Sequence, residues 1–147
     1  MAHAEGSILI NRPVKVVYDF VLDGMNNPLW RSGVLDIRHR RSTPSGAGAV
    51  YIQGFKGPGG SRVDGDYEIT ECKPNESIRF RVVAGPARPT GSYKFEAAGE
   101  ATRVTFTLHL EPKGLMRMMD GMVNQQMQVE VRALDNLKKY LEEQEIK

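Results

Sequence analysis

The fold is decided by residues 115–145, which read LMRMMDGMVNQQMQVEVRALDNLKKYLEEQE. Apolar residues recur here every three or four positions, which predicts one long amphipathic helix from Leu115 to Glu145. The apolar stripe consists of Met116, Met119, Val123, Leu134, Leu137 and Leu141. At 1.5 Å per residue, a helix of about 31 residues spans on the order of 45 Å, so it is expected to cross a whole sheet.

The first half of this helix is rich in flexible apolar side chains, at Met116, Met118, Met119, Met122 and Met127. Met118 and Met122 lie away from the stripe, so the first turns are apolar around much of their circumference. Leaving a methionine exposed forgoes roughly 1.5–3 kcal/mol of burial, so something is expected to cover them. A solid core and a pocket for a variable ligand both satisfy this requirement.

The residues before the helix predict an antiparallel sheet of seven strands. The predicted strands are 7–11, 34–41, 48–56, 62–71, 78–83, 91–96 and 103–111, separated by short turns rich in glycine and proline. Apolar and polar residues alternate along them, as at Tyr93, Lys94 and Phe95, so one face is solvated and the other covered. Two short helices, at about 13–23 and near Trp30, are predicted between the first two strands.

The helix can cover the sheet only if the sheet curves around it, since a flat sheet would leave aromatic side chains exposed. Glycines within the predicted strands are candidate bending points. They are Gly48, Gly54, Gly65 and Gly91. The predicted class is therefore α+β, with a curved seven-stranded antiparallel sheet wrapped around a long C-terminal helix.

Several short motifs carry a family resemblance over nearly the whole chain. They include Asn11-Arg12-Pro13-Val14, Asn27-Pro28-Leu29-Trp30, Gly65-Asp66-Tyr67-Glu68 and Pro89-Thr90-Gly91-Ser92-Tyr93-Lys94-Phe95, followed by Pro112-Lys113-Gly114-Leu115 before the helix. With this element order, the chain resembles the START-related SRPBCC superfamily of polyketide cyclase/dehydrase and lipid-transport type. The resemblance implies a Bet v 1-like helix-grip fold, one START-like ligand-binding domain over residues 1–147, and a deep pocket between sheet and helix. It does not imply an activity, because binders, cyclases and co-chaperone domains share this scaffold.

The predicted pocket is lined by inward-facing side chains of the strands, the second short helix and the terminal helix. From the strands and short helix these are Trp30, Tyr51, Gln53, Phe55, Tyr67, Phe80, Tyr93, Phe95 and Phe106. From the terminal helix they are Met116, Met119, Val123, Gln126, Met127 and Glu130. Tyrosine suits such positions because its ring packs while its hydroxyl finds a polar partner, in a ligand or in the protein.

Glu130 is the one carboxylate on the apolar stripe of the helix. It either reaches water at the edge of the stripe or faces the pocket. In the pocket, desolvation would raise its pKa and allow it to hold a ligand or to move a proton. It is therefore the only candidate catalytic acid, and the substitution Glu130→Gln would then stabilise the empty protein at neutral pH.

The mouth of the pocket is predicted where alternate turns of the meander meet the start of the terminal helix. Turns 57–60 and 85–89 and the connection 112–115 fall at one end of the sheet. The candidate mouth residues are Pro58, Arg88 and Leu115, with Arg88 placed to meet an anionic ligand or simply solvated.

Composition argues against several other classes of protein. Twenty Lys and Arg against eighteen Asp and Glu give a net charge of +2, which does not favour nucleic acid as a partner. No stretch reaches the roughly 20 apolar residues of a membrane span, so no stable membrane insertion is expected. The single cysteine, Cys72, and the absence of a signal-peptide pattern favour the cytoplasm. His3, His39 and His109 have no ligand-like spacing, so neither a metal nor a cofactor is predicted.

These features favour an intracellular binding or transfer protein for a hydrophobic or aromatic small molecule, such as a lipid, a quinone or a polyketide-like compound. The alternative is a metal-free cyclase, aromatase or dehydratase that uses Glu130 and a tyrosine for acid–base steps. A third hypothesis is an interaction domain with a vestigial cavity. The sequence leaves the ligand and the oligomeric state open.

Overall fold

The architecture is that of a computed structural model, which describes residues 2–85, 88–110 and 127–144. The strands are β1 (Ala2–Ile10), β2 (Val34–His39), β3 (Val50–Lys56), β4 (Arg62–Asp64), β5 (Tyr67–Lys73), β6 (Ser77–Val82), β7 (Thr90–Ala98) and β8 (Ala101–Leu110). The helices are α1 (Val14–Leu22), a 3₁₀ helix (Gly24–Leu29), a 3₁₀ turn (Pro58–Gly60) and α2 (Leu134–Glu143). Residues 127–132 are also helical and lead into α2.

Seven of these strands form one curled antiparallel sheet in the order β1-β8-β7-β6-β5-β3-β2, and β4 pairs with β3 beside this path. The sheet wraps around the C-terminal helix, so the predicted α+β helix-grip fold is confirmed. The two short helices lie between β1 and β2, also as predicted.

The prediction of one strand over residues 62–71 is wrong, because the chain leaves the β3 ladder between β4 and β5. The N–H of Gln53 donates to the Asp66 carboxylate at 3.2 Å instead of to a strand carbonyl. Gly65 passes beneath the Phe55 ring, where a Cβ would clash. The side-chain hydrogen bond and the close approach therefore divide the predicted strand in two.

The edge strand β1 begins at Ala2, five positions before the predicted start. It pairs with β8 along its whole length, from Ala2 opposite Leu110 to Ile10 opposite Thr102. Its inner face carries the small residues Ala4 and Gly6, which hide the alternation in the sequence. A Cβ at Gly6 would clash with Val131, so the small residue lets the terminal helix lie close to the sheet edge.

The predicted helix from Leu115 to Glu145 is not continuous in the part that the structure describes. A turn at Ala133 interrupts it, where the Ala133 N–H donates to the Glu130 carbonyl three residues back. Such a bond tightens one turn without ending the helical path. The buried stripe continues across the turn, but α2 ends at Glu143, and Gln144 is extended.

The end of α2 is attached to the end of β1 by polar contacts. The Asn11 N–H donates to the Glu142 carboxylate at 2.8 Å, and the Lys138 ammonium donates to the Leu9 carbonyl at 2.8 Å. Arg12 donates to the backbone carbonyls of Glu142 and Gln144. These bonds fix the helix over the concave face of the sheet.

Candidate functional site

A row of aromatic side chains crosses the concave face of the sheet on five neighbouring strands, β3, β5, β6, β7 and β8. Its members are Tyr51, Tyr67, Phe80, Tyr93 and Phe106, each no more than 8% exposed. Consecutive rings in the row are in contact, with centroids 5.2, 5.6, 5.8 and 4.4 Å apart. The strand alternation therefore produces a continuous aromatic wall, which we call the aromatic row.

The opposite side of the site is formed by the terminal helix and by the segment after the first 3₁₀ helix. Met127, Val131, Leu134, Leu137 and Leu141 are all buried on the helix. Trp30, at the C-terminal end of the 3₁₀ helix, is 2% exposed and meets Tyr93 edge to face at 6.2 Å. Phe95, at 4% exposure, packs against Tyr18 of α1 at a ring distance of 5.1 Å. Phe55 is half-buried beside Arg31.

Arg31 and Glu130 form an ion pair on this side of the site. Arg31 Nη2 donates to Glu130 Oε2 at 2.7 Å, and the two side chains are 9% and 19% exposed. The guanidinium lies 5.9 Å from the centroid of the Trp30 ring and 5.4 Å from that of the Phe55 ring. The pair thus joins the segment after the 3₁₀ helix to the terminal helix within aromatic surroundings.

The charge on Arg31 is maintained by its partner. Burial, the largest single cause, acts to lower the pKa of Arg31, but the charge and hydrogen bond of Glu130 together with Tyr93 and Tyr67 raise the pKa above its ordinary value. Arg31 Nε and Trp30 Nε1 are buried and have no hydrogen-bond partner within the described part of the chain. Both groups can only donate, so any partner must be an acceptor.

A second polar cluster lies deeper, around Asn27. Its side-chain amide donates to Gln53 Oε1 at 2.9 Å and to the Tyr67 hydroxyl at 3.0 Å. Asn27 and Gln53 are 4% and 1% exposed, so these bonds satisfy groups that water does not reach. Gly24 allows this cluster to form, because a Cβ there would clash with the Tyr67 hydroxyl.

The tyrosines of the aromatic row are held in their neutral form. Burial raises the pKa of Tyr93 to about 12, with Arg31 opposing the rise and Glu130 adding to it. Burial also raises the pKa of Tyr67 and of Tyr51. Their hydroxyls therefore act near neutral pH as hydrogen-bond donors and acceptors rather than as bases.

A separate cleft of about 280 Å³ opens at the surface between residues 28–32 and α2. It is lined by Pro28, Leu29, Trp30, Ser32, Asn136, Lys139, Tyr140 and Glu143. Trp30 therefore lies between this cleft and the aromatic row, which it contacts through Tyr93.

The structure brings together many of the residues that were predicted to line a pocket. The predicted residues from the sheet, together with Trp30, Met127 and Glu130, surround the same interior. Met116, Met119, Val123, Gln126 and the mouth residue Leu115 lie outside the described residues, as do the side chain of Pro58 and residues 86–87 of the predicted mouth. Arg88 is exposed and donates to the Gly85 carbonyl at 3.3 Å.

Two residues of the site were absent from the sequence prediction, Asn27 and Arg31. A carboxylate on an apolar stripe calls for a cationic partner, but eleven other arginines were equally available in the sequence. The ion pair also reverses the expected effect of Glu130→Gln, because the carboxylate is paired and not simply desolvated.

Two of the three histidines, which are far apart in the sequence, lie side by side in the structure. His3 and His109 lie opposite each other on β1 and β8, with their Nδ1 atoms 3.0 Å apart. Across the described ranges, no cluster of three or more His, Cys, Asp or Glu side chains could hold a metal ion. No helix in those same ranges is long and apolar enough to cross a membrane.

Solved structures share this fold at low sequence identity. A Thermus thermophilus protein, TTHA0849, has a TM-score of 0.77 at 22% identity, covering 93% of this chain and 94% of its own. The di-domain ARO/CYC StfQ from the steffimycin biosynthetic pathway has a TM-score of 0.75 at 16% identity, covering 97% of this chain and 51% of its own. A START superfamily protein from Mycobacterium smegmatis has a TM-score of 0.73 at 11% identity, covering 96% and 99%.

No curated protein matches the sequence. Residues 1–142 match the family described as polyketide cyclase / dehydrase and lipid transport. This match spans almost the whole chain and agrees with the helix-grip architecture and with the START-like structural neighbours. The chain therefore belongs to the polyketide cyclase/dehydrase and lipid transport family.

Proposed function

We propose that this protein binds a hydrophobic or aromatic small molecule between the concave face of the sheet and the C-terminal helix, as a binding or transfer protein. The observation that carries the proposal is the Arg31–Glu130 ion pair beside the aromatic row. Two charges in an apolar interior are costly compared with well-packed apolar side chains, so stability alone does not account for them. A polar anchor among aromatic walls is the usual composition of a small-molecule site.

Two buried N–H donors indicate which chemical class of ligand the site would accept. Arg31 Nε and Trp30 Nε1 offer N–H groups in an otherwise aromatic environment. A ligand with an acceptor oxygen on an aromatic or polycyclic body would match both features. This composition favours a quinone or a polyketide-like compound over a plain hydrocarbon chain.

Binding can be tested with prodan, a naphthalene that carries a ketone and whose emission shifts to the blue in apolar surroundings. Matched variants come from one strand, where Tyr93 faces inward and its neighbour Lys94 faces solvent. Tyr93→Leu is expected to weaken prodan binding by roughly tenfold, the order of a lost aromatic contact. Lys94→Leu, which introduces the same residue on the other face, is expected to change it by less than about twofold.

Absence of prodan binding to the wild-type protein, or equal losses in the two variants, would contradict an interior site. Thermal melts of both variants show whether each remains folded under the conditions of the titration. Native mass spectrometry of the protein purified gently from its own host then searches for a co-purifying molecule, which identifies the natural ligand directly.

A cyclase or dehydratase reaction is the second candidate, and one observation favours it. The negative charge of Glu130 contributes to the raised pKa of the Tyr93 hydroxyl, so a carboxylate lies near a phenol of the aromatic row. However, one Glu130 oxygen is bound by Arg31, which suits holding a ligand better than proton transfer. Turnover of a bound polyketide-like compound that is lost in Glu130→Gln, while its binding persists, would favour the enzyme.

A further inference from the structure

We propose that His3 and His109 form a two-histidine site for a divalent late transition metal of the Ni²⁺ or Cu²⁺ kind. The site is on the convex face of the sheet, away from the aromatic row, and does not depend on the proposed ligand. It arises from the register of the edge strand: β1 and β8 pair so that His3 lies directly opposite His109.

The geometry of the pair suits chelation. The two Nδ1 atoms are 3.0 Å apart and share a hydrogen bond, so one ring donates to the other, and the rings meet edge to face with centroids at 5.1 Å. A metal would take the place of the shared proton. With a metal about 2.0–2.1 Å from each nitrogen, the nitrogen–metal–nitrogen angle would be about 95°. This is close to the right angle between neighbouring ligands of square-planar or octahedral ions. Directly opposed positions on adjacent strands also fix the two side chains before a metal arrives.

The surroundings allow a metal to enter. His3 is exposed and His109 half-buried. Glu5 lies two positions after His3, so it shares the convex face, and its carboxylate accepts a hydrogen bond from Thr107 at 3.0 Å. A nearby negative charge favours a divalent cation over a neutral ligand. Imidazole nitrogen is a preferred donor for Ni²⁺, Cu²⁺ and Zn²⁺, and the nearly right angle favours the first two.

A metal bound here would link the edge strand to its neighbour. β1 is held by β8 on one side only, whereas the interior strands are held on both. Binding to the folded state alone would therefore stabilise the protein by mass action and would raise its melting temperature as the metal concentration rises.

The test is Cu²⁺ titration of the full chain without affinity-tag histidines, followed by calorimetry and by electron paramagnetic resonance. His3→Thr and His109→Thr remove one ligand each and suit a strand position. His39→Thr is the matched control, because it removes the remaining histidine and leaves the pair intact. We expect one equivalent of copper with two imidazole nitrogens, and a loss of affinity of at least tenfold in either pair variant but less than about twofold in His39→Thr.

Two results would overturn the proposal. Copper affinity that depends on His3 but survives His109→Thr would place the metal on the amino-terminal amine and His3 alone. Equal affinity in the wild type and in the double variant His3→Thr/His109→Thr would mean that the pair binds no metal. Far-ultraviolet circular dichroism of each variant shows whether the sheet is retained, so that loss of affinity is not confused with unfolding.

Discussion

At the scale of single residues, Arg31 and Glu130 decide how the site is interpreted. Glu130 alone on an apolar stripe suggests a desolvated acid, whereas paired with Arg31 it forms a polar anchor at 2.7 Å. Removing one member of a buried pair leaves an uncompensated charge, while removing both does not. The two substitutions are therefore expected to have strongly non-additive effects.

Arg31→Met and Glu130→Gln are each expected to lower the free energy of unfolding at pH 7 by about 2–4 kcal/mol, somewhat less than for a fully buried pair because Glu130 retains access to water. The double variant is expected to cost at least about 1 kcal/mol less than the sum of the two. Urea denaturation of the four proteins measures this coupling. Additive losses would show that the two charges do not support each other in solution.

The residue scale also shows the limit of the sequence prediction. Periodicity placed Glu130 on the inner stripe and the five rings of the aromatic row on the inner face, because both follow from a regular repeat. Asn27 lies in a 3₁₀ helix of only six residues and Arg31 in the segment after it, too short for an apolar repeat, so their burial depends on tertiary contacts that no local pattern encodes. The pairing of His3 with His109 depends on the register of two strands that are 106 positions apart in the sequence. It could not be predicted from the sequence either.

At the scale of elements, polar contacts between the end of β1 and α2 hold the terminal helix against the sheet. We call these contacts the junction. Glu142 accepts from the Asn11 N–H at 2.8 Å and from Lys138 at 2.6 Å. These donors, led by Lys138, hold the pKa of the Glu142 carboxyl below its ordinary value. Because the pKa is lower in the folded chain, this carboxylate stabilises the fold at neutral pH, and its contribution is lost as the pH falls below the unfolded value of about 4.3 and through the lower folded one.

Glu142→Gln is accordingly expected to lower the free energy of unfolding by roughly 0.5–1 kcal/mol at pH 7 and to have a smaller effect below the folded pKa. Glu143→Gln is the matched control, since Glu143 is the next residue on the same helix. Thermal unfolding between pH 7 and pH 3 measures both variants against the wild type. A loss from Glu142→Gln that is the same at both ends of this range would show that the carboxylate charge is not what holds the junction.

The elements themselves were predictable to different degrees. Strands with clear alternation, such as β7 and β8, extend only slightly beyond the prediction, because one solvated and one buried face impose a period of two. β1 was predicted too short, since Ala4 and Gly6 carry little apolar signal. The division into β4 and β5 comes from the Asp66 side chain replacing a backbone acceptor, which strand periodicity does not describe.

At the scale of the whole molecule, the fold followed from a simple requirement: one long amphipathic helix must cover a sheet whose inner face is aromatic. A curved sheet around a helix satisfies it, and that is the architecture found. The same arrangement buries tyrosines on strands β3, β5 and β7 and on α1. Their ionisation is therefore coupled to the unfolding of the whole sheet.

This coupling predicts how the protein unfolds in alkali. Burial is the largest cause of the raised pKa at Tyr18, Tyr51, Tyr67 and Tyr93, and for Tyr93 the value reaches about 12. Since an unfolded tyrosine ionises near pH 10, the stability from these four neutral side chains is complete below about pH 10 and is lost as the pH rises towards the folded values. The tyrosinate absorbance at 295 nm is expected to rise steeply with the loss of near-ultraviolet circular dichroism. Tyr93→Phe should shift this rise in absorbance to higher pH, because one buried hydroxyl no longer ionises on unfolding. A gradual rise in the 295 nm absorbance near pH 10, with the dichroism unchanged, would show that the aromatic row is open to water.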